Sequence, residues 1–342
     1  MEKICIVLFC YLLTVKMHSQ NIKGLVYDEK KHQISGALVF LDGSSIGTLT
    51  DDKGLFELDV KTRIISNLVV NSIGFESKSL KIGEENEFLT IQMNPKTNIL
   101  NEVVVTSKKS RFKRADKLKV FREEFLGSST AAKSCKIINE EDINLKYDLK
   151  TKQLIATAEV PIQIHNSFLG YDIQYRLKEC AIAFSSTSIK SQDVISWVFS
   201  GSSFFKDLTN DSTSYAAKRK MYYRGSQMEF FRNLRQQSLG KNNFQLLHGS
   251  RYCNPDKYFT VKERKNDCIV IVNNYKIRPN DEYHQSFILE YLGKPDSEIF
   301  FRTRAFKIDK FGNCNSNGLI SFAGGISDNR IGDMLPLDYK SN

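Results

Sequence analysis

Residues 47–60 read Gly-Thr-Leu-Thr-Asp-Asp-Lys-Gly-Leu-Phe-Glu-Leu-Asp-Val, and this stretch decides the fold of the first part of the chain. The run Asp51-Asp-Lys-Gly54 is typical of a tight turn, because an Asp side chain can bond its own backbone and a Gly tolerates a positive φ. Leu55–Val60 then resumes an extended, apolar pattern. The stretch therefore predicts two short strands joined by a turn.

The same rhythm continues on both sides of this turn. Between Ile22 and Thr106, short apolar runs alternate with turn residues every eight to twelve positions, and helical periodicity is absent. This spacing is typical of an all-β sandwich. The further strands that it predicts are Ile22–Tyr27, Ile34–Leu41, two between Leu68 and Ile82, Phe88–Met93 and Leu100–Thr106.

The order of these turns and strands resembles the carboxypeptidase regulatory-like domain of Bacteroidetes over residues 21–96. The resemblance is carried by Ile22, Gly24, Val26, Asp28, Ile34, Gly36, Ala37, Val39, Gly47, Thr50, Asp51, Gly54, Phe56, Ile73, Gly74 and Phe75. It implies a seven-stranded transthyretin-like sandwich, which we place at residues 21–106. The domain is appended to zinc carboxypeptidases without sharing their catalysis, and it also heads many TonB-dependent transporters.

The second part, residues 121–342, has a mixed pattern. Phe121–Leu126 predicts a short helical turn, and the period-two alternation around Tyr171–Leu177 predicts a half-buried strand. Between Ala216 and Leu239 the period changes to that of a helix, and strands return afterwards. The pattern predicts an α+β domain with a large antiparallel sheet and one main helix, which makes the whole chain mainly β.

This second part is similar to the region that accompanies such a sandwich in a group of Bacteroidetes proteins. The similar stretches are Phe125–Gly127, Pro161–Tyr171, Tyr222–Ser226, Phe230–Arg232 and Leu335–Tyr339. The resemblance implies an architecture and leaves the function of residues 121–342 open.

The first twenty residues have the pattern of a secretory signal peptide. A short charged start is followed by twelve mostly apolar residues from Ile4 to Val15 and by a small residue, Ser19. The apolar run is shorter than a membrane-spanning helix requires. We therefore expect residues 1–20 to direct export across the inner membrane, and we expect a periplasmic or outer-membrane-associated protein.

The charge surplus is local. The chain carries a formal net charge of +10, and residues 107–120 hold seven basic side chains against Asp116 alone. A surplus confined to one connector is not the spread basic face of a nucleic-acid-binding protein. We interpret residues 107–120 as a solvated basic linker, with peripheral contact to an anionic membrane or an acidic partner as the alternative.

Catalytic and metal-binding patterns are absent from the sequence. His32, His165, His248 and His284 lack the spacing of a zinc site, and Asp51-Asp52 lacks that of an EF-hand. Gly43–Gly47 matches Gly-x-Ser-x-Gly, but strands flank it on both sides, so a hairpin explains it. Ser110–Lys113 and Ser203–Lys206 match Ser-x-x-Lys without the companion motifs of penicillin-binding enzymes. We accordingly assign no catalytic, cofactor-binding or metal-binding residue and expect no cofactor.

Five cysteines follow the predicted signal peptide, and their spacing matches no zinc-finger or Cys-x-x-Cys motif. Because five is odd, at least one thiol stays unpaired within a monomer. The aromatic residues could line a ligand cleft, although those at helical spacing are more often core. These are Trp197, Tyr222, Tyr223, Phe230 and Phe231.

Three hypotheses of function follow. The first is a non-enzymatic, exported protein that acts as an adaptor or binding module toward an envelope protein. The second is a peptidase-type hydrolase that gathers scattered residues of the second part, namely Asp193, His165 or His284, and Cys253. The third is a glycan or small-molecule binder with a cleft between helix and sheet. The sequence leaves the ligand and the oligomeric state open.

Overall fold

The computed structural model describes residues 20–60, 64–82, 88–96, 111–209, 213–275, 283–316 and 318–341. Within these ranges the strands form three bodies, each with its own buried apolar core. The first body spans residues 20–96, the second residues 111–223 with the closing segment 329–339, and the third residues 227–326. The predicted signal peptide, apart from Gln20, and the predicted strand Leu100–Thr106 lie outside the described residues.

The first body is the predicted seven-stranded sandwich. Its strands are β1 (Gln20–Tyr27), β2 (Leu38–Leu41), β3 (Gly47–Leu49), β4 (Leu55–Val60), β5 (Asn67–Asn71), β6 (Lys78–Lys81) and β7 (Leu89–Gln92). One sheet has the order β4-β1-β7 and the other the order β3-β2-β5-β6. Strand β1 pairs antiparallel with β4 and parallel with β7.

The turn at residues 51–54 has the predicted chemistry. The Oδ1 atom of Asp51 accepts hydrogen bonds from the N–H groups of Lys53 and Leu55, at 2.9 and 2.8 Å. Gly54 has a φ of +69°, and a Cβ at this position would lie 2.5 Å from the carbonyl oxygen of Val26. A residue with a side chain would therefore clash with the neighbouring backbone, so the sandwich requires glycine at position 54.

The second body is built on one six-stranded sheet. Its strands are β8 (Cys135–Ile137), β9 (Ile143–Asp148), β10 (Gln153–Ala158), β11 (Ile162–Asn166), β12 (Tyr171–Phe184) and β13 (Val194–Asp207). Strand β12 pairs with β10 and β11 on one side and with β13 along its whole length on the other. Strand β13 is therefore an edge strand of this sheet. The helices of this body are α1 (Arg114–Leu126), α2 (Thr130–Lys133) and α3 (Thr213–Tyr223).

The segment predicted as a linker differs in the structure. Residues 114–120 form the first half of α1, which is longer than the predicted helical turn at Phe121–Leu126. Lys117 is buried, and its Nζ donates to the carbonyl oxygen of Leu145 at 2.6 Å. The guanidinium of Arg114 donates to the carbonyl oxygens of Ile143 and Glu140. Two of the seven basic side chains thus hold the helix on the sheet, a use that the charge count alone does not indicate.

The third body is a second β-sandwich. Its strands are β14 (Phe244–His248), β15 (Arg251–Tyr252), β16 (Phe259–Glu263), β17 (Asp267–Val272), β18 (Gln285–Tyr291), β19 (Ser297–Phe301), β20 (Ala305–Asp309) and β21 (Ile320–Gly324). One sheet has the order β15-β14-β18-β19-β21 and the other the order β16-β17-β20. Helix α4 (Gln227–Arg235) buries Phe230, Phe231 and Leu234 in this core.

The single large sheet and single main helix predicted for residues 121–342 are therefore divided. The described strands form three sheets in two bodies, and the helical region between residues 213 and 235 is two helices. Gly225, with a φ of +67°, separates α3 from α4. The Ser226 side chain caps α4 by accepting the N–H of Glu229 at 3.2 Å. Among the helices of the described residues, none combines the length and apolar character that a membrane-crossing helix requires.

Carboxylates join the three bodies. Asp309 of the third body is 1% exposed, and its side chain accepts the N–H of Ile65 in the first body at 2.7 Å. The same carboxylate accepts the N–H groups of Phe311 and Asn313 and the Asn313 side-chain amide. Burial raises the pKa of Asp309 despite these bonds. All of its hydrogen bonds are accepted, so the group acts as a multiple acceptor between two bodies.

The substitution Asp309→Asn tests this joint. An amide nitrogen would face at least one N–H donor that now has an acceptor, and we expect a loss of about 2–4 kcal/mol in the free energy of unfolding. Urea denaturation followed by circular dichroism measures it. The matched control is Asp51→Asn, where only Oδ1 accepts bonds in an exposed turn, and we expect it to change stability by less than about 0.5 kcal/mol. Equal effects of the two variants would contradict the role of Asp309.

Candidate functional site

A cleft of about 830 Å³ lies where the three bodies meet. The first body contributes apolar side chains that include Ile22, Val60, Ile64 and Leu89. The second body contributes alternate residues of β13 and the closing segment, and the third contributes Lys307 and Asn315. The volume lies within the range of clefts that hold small ligands in proteins. The cleft is thus a joint product of all three bodies.

An aromatic and cationic wall forms one side of the cleft. Trp197 and Phe199 lie two residues apart on β13, so they share one face of the strand, and their rings stack with centroids 5.4 Å apart. The Phe199 ring contacts Phe125 of α1 edge-on at 5.5 Å, which anchors it to the core of the second body. The guanidinium carbon of Arg330 lies 3.8 Å from the centroid of the Trp197 ring. Trp197 remains 37% exposed and lines the cleft, so part of its ring is accessible there.

Close backbone packing fixes β13 in this position. A Cβ at Gly201 would lie 2.2 Å from the carbonyl oxygen of Arg176 and 2.8 Å from the Tyr175 ring. Glycine is therefore required where β13 passes this part of β12. At the next alternate residue, the N–H of Ser203 donates to Asp42 of the first body at 2.8 Å. Burial raises the pKa of the Asp42 carboxyl, which accepts this bond at the edge of the cleft.

Arg330 and Lys81 supply positive charge that the described residues leave without an ion pair. No described carboxylate lies within 4.0 Å of either cationic group. Arg330 donates instead to the carbonyl oxygen of Ser327 at 3.1 Å. Burial lowers the pKa of Arg330, but guanidinium groups stay charged in proteins. The third body adds two ionic side chains to the lining, Lys307 and Asp267, which lie 3.9 Å apart, and Asp267 also lies 3.6 Å from Arg264.

The residues considered for a hydrolase are distributed over the molecule. His165 contacts Asp172 at 2.7 Å on a half-exposed face of the second body, and Asp193 accepts the Ser188 hydroxyl. His284 and Cys253 belong to the third body, where the His284 ring packs on Tyr275. None of His165, Asp193, Cys253 and His284 lines the cleft. Within the described ranges, no three His, Cys, Asp or Glu side chains are grouped to hold a metal ion.

The Gly43–Gly47 motif serves the junction between bodies. Ser44 is fully buried, and its hydroxyl donates to the carbonyl oxygen of Leu41 at 2.7 Å. The Ser45 hydroxyl donates to Asp338 of the closing segment at 2.6 Å, and the Ser45 N–H donates to the same carboxylate at 2.8 Å. The hydroxyls of Ser44 and Ser45 therefore both have a structural role, as hydrogen-bond donors. Ser110 of the first Ser-x-x-Lys match lies outside the described residues, while Ser203 of the second is buried.

The sequence indicates part of the cleft. Of the aromatic residues considered for a ligand cleft, the structure places Trp197 there, while Phe230, Phe231 and Tyr223 are buried in cores. No sequence pattern indicates Arg330, because it belongs to no motif and contacts Trp197 only in the folded chain. One available signal was the run Val194–Phe205, which contains no charged residue and no proline.

Comparison with known proteins identifies the first body. Residues 22–105 match the family of the CarboxypepD_reg-like domain. A stretch of 85 residues is 34% identical to the TonB-dependent receptor SusC of Bacteroides thetaiotaomicron. This stretch is 25% of the present chain and only 8% of the receptor. The chain thus carries a CarboxypepD_reg-like domain, as the sequence resemblance implied, and it shares this one domain with the receptor.

The cysteines generate a test of reactivity. Burial raises the pKa of Cys135, Cys180 and Cys314 to about 12, and it also raises the pKa of Cys253. The nucleophilic thiolate is therefore almost absent at pH 8, and we expect these three thiols to react with iodoacetamide roughly a thousandfold more slowly than free cysteine.

Mass spectrometry of the folded chain after timed alkylation measures these rates. The control is the chain from residue 21 unfolded in urea, which should react at all five of its cysteines, since the raised pKa values belong to the fold. Alkylation of Cys135, Cys180 or Cys314 in the folded chain as fast as that of free cysteine would contradict this expectation. Equally fast alkylation of Cys253 would favour a nucleophilic role for that thiol.

Proposed function

We propose that this chain is a non-enzymatic binding protein of the cell envelope and that its ligand occupies the cleft between the three bodies. The observation that carries the proposal is the partly open Trp197 ring beside Arg330 in the wall of an 830 Å³ cleft. Aromatic faces and a few charged groups around an apolar floor are the usual composition of ligand clefts.

The position of the cleft supports binding over structure alone. Had the bodies only needed to associate, half-buried apolar side chains such as Ile22 and Leu89 would gain most by packing against a neighbouring body, since a void forfeits dispersion contacts. In this chain they line open space together with Trp197. A ligand that covers these side chains would restore the missing dispersion contacts and bury apolar surface, so its binding would be favourable.

The place of action in the envelope rests on two further supports. Residues 1–20 have the sequence pattern of a signal peptide. The first body matches a domain family that a TonB-dependent receptor also carries. Since the shared part is 8% of that receptor, the receptor's own activity is not transferred to this chain. What we carry over is a role for the sandwich as an associated module.

The proposed absence of chemistry rests on the dispersed side chains. A nucleophile needs a base within hydrogen-bond reach, and the pair then needs access to a substrate. Among the described residues, His165 pairs with the carboxylate of Asp172, and this pair lies outside the cleft. Peptidase-type hydrolysis therefore stands as the alternative that the experiment must be able to detect.

Tryptophan fluorescence offers a direct test, because Trp197 is the only tryptophan of the chain. The chain from residue 21 is titrated with two separate pools prepared from bacterial envelopes, one of oligosaccharides and one of peptides. We expect one pool to shift the emission saturably and to reduce quenching by acrylamide, because a bound ligand covers the exposed part of the ring. Mass spectrometry then follows the bound component for cleavage.

The variant Trp197→Ala is examined by calorimetry with the component that binds. We expect its affinity to fall about tenfold, since a stacked aromatic contact contributes about 1–1.5 kcal/mol. The matched control is Tyr252→Ala, which removes an aromatic ring that is 67% exposed and does not line the cleft. Absence of saturable binding in both pools would contradict the proposal, and cleavage of the bound component would favour the hydrolase.

A further inference from the structure

The free edge of β13 offers backbone groups to the cleft. At one end of the strand, the first body already pairs with this edge, because the Gly43 N–H donates to the Ser203 carbonyl and the Phe205 N–H donates to the Ser44 carbonyl, at 2.7 and 3.0 Å. Ser44 and Phe204 form a parallel β-bridge at this point. The backbone groups of Ser203 and Phe205 therefore point away from β12.

Alternation along the strand extends this geometry into the cleft. Successive residues of a strand direct their N–H and C=O groups to opposite sides. The register shift opposite Gly201 and Ser200 places its extra residue, Lys178, on β12, so the alternation along β13 continues. Gly201, Phe199 and Trp197 therefore direct their backbone groups to the same free edge as Ser203. Among the described residues, no hydrogen bond is made by the N–H or C=O groups of these three on that side. We call residues 197–201 the open edge. Its three outward residues all line the cleft.

The open edge lacks the features that normally prevent strand pairing. Proteins protect exposed edges with charged side chains, proline or a covering segment. The run Val194–Phe205 contains neither charge nor proline, and Val198 is 49% exposed. The covering segment ends at Ser203, where the first body's loop leaves the strand. An unprotected edge of this kind is a template for one more strand.

Charge indicates the nature of that strand. Arg330, which stacks on Trp197 of the open edge, and Lys81 across the cleft have no described carboxylate within ion-pair distance. The carboxylates of Glu124, Asp328 and Asp333 also act on Arg330, but from beyond that distance. A partly buried guanidinium with no carboxylate in ion-pair contact binds a further carboxylate well, because the bond is charge-assisted. A strand that carries a carboxylate beside Trp197 would supply this partner.

We propose that the open edge of β13 binds an extended acidic peptide segment by strand addition, with a carboxylate of the peptide paired to Arg330. This inference rests on the proposed binding function and names the class of its ligand. Main-chain hydrogen bonds to Trp197, Phe199 and Gly201 would supply part of the affinity, and the aromatic wall would select apolar side chains at alternate positions.

The cleft favours a single peptide over a second copy of the folded chain. An added strand lies about 4.7–4.9 Å from its neighbour, and the cleft that would hold it is also lined by Ile22, Val60 and Leu89 of the first body. A folded partner would bring a whole sheet against these side chains, whereas an isolated strand of about five residues needs only the cleft itself.

The probe is a library of random decapeptides displayed on phage and selected on the chain from residue 21. We expect enriched peptides to alternate apolar and polar residues and to carry Asp or Glu. Two synthetic copies of an enriched peptide are then N-methylated at alternate backbone nitrogens. One copy, the first phase, is methylated at the odd-numbered positions, and the other copy, the second phase, at the even-numbered positions. Because only one phase faces the open edge, we expect that phase to weaken binding about tenfold or more and the other about twofold or less.

Arg330→Gln tests the charged contact in a double-mutant cycle. We expect it to weaken binding of the acidic peptide about tenfold and to leave a peptide with Gln in place of the acid nearly unchanged. The control is Arg251→Gln, since Arg251 is exposed on β15 and does not line the cleft. Fluorescence anisotropy of the labelled peptides measures each affinity.

The outcomes separate this inference from the proposed function. Equal effects of the two N-methylation phases would overturn strand addition while leaving the cleft a binding site. Failure to enrich any peptide, together with saturable binding of the oligosaccharide pool, would overturn the ligand class alone. A dimer in sedimentation experiments that Val198→Lys dissociates would make a second copy the occupant and overturn the inference.

Discussion

The arrangement of the three bodies depends on carboxylates that accept backbone N–H groups across their boundaries. Asp42 of the first body accepts from Ser203, Asp309 of the third body accepts from Ile65, and Asp338 of the closing segment accepts from Ser45. Each bond joins a side chain of one body to the main chain of another. Since a main-chain donor has a fixed position, such bonds define the relative placement of two bodies more narrowly than apolar contact does.

These hydrogen bonds between bodies are specific, but burying their carboxylates costs desolvation free energy. Burial raises the pKa of Asp42 and Asp309, so the hydrogen bonds do not fully offset the desolvation of the charged form. A group whose pKa is raised in the folded state loses stabilising effect as the pH rises from its ordinary value through the folded value. At neutral pH both carboxylates therefore contribute geometry more than free energy, in keeping with the view that buried polar groups can specify one arrangement among several.

Parts of the fold that depend on contacts between residues close in sequence were easier to predict than parts that depend on distant residues. The turn at Asp51–Gly54 is closed by contacts within four residues, and the sandwich built from such turns was correctly predicted. Helix α1 was predicted only in its second half, because Lys117 is held by Leu145, a partner 28 positions away that a charge count cannot reveal. The helical stretch before residue 235 was predicted to be continuous, because the spacing of apolar residues gives no sign that the helix is interrupted at Gly225.

The cleft is harder to predict still, because its wall joins residues that are remote in sequence. Trp197 was recognisable as one aromatic residue among several, whereas Arg330 meets it only after the closing segment has returned to the second body. The uncharged run Val194–Phe205 was the one local signal, and its meaning depends on β13 being an edge strand, which the pairing of β12 decides. Periodicity predicts that a strand exists and which face is buried, but the order of strands in a sheet is set by long-range pairing.

The distribution of polar groups explains why the cleft is suited to recognition. Asp42 and Ser45 lie at or beside it, and the side chain of each is already bonded to a neighbouring body. A hydroxyl or carboxylate in such a joint cannot move toward a substrate without loosening the bodies that form the cleft. The cleft is also lined by an indole ring, by the cationic groups of Arg330 and Lys81 and by the open edge, which would bind the proposed ligand through stacking, charge and main-chain hydrogen bonds. The junction that creates the cleft thus engages the Asp42 carboxylate and the Ser45 hydroxyl in holding the bodies together. In the proposed function, the groups left for a ligand are those that bind it by stacking, charge and main-chain pairing.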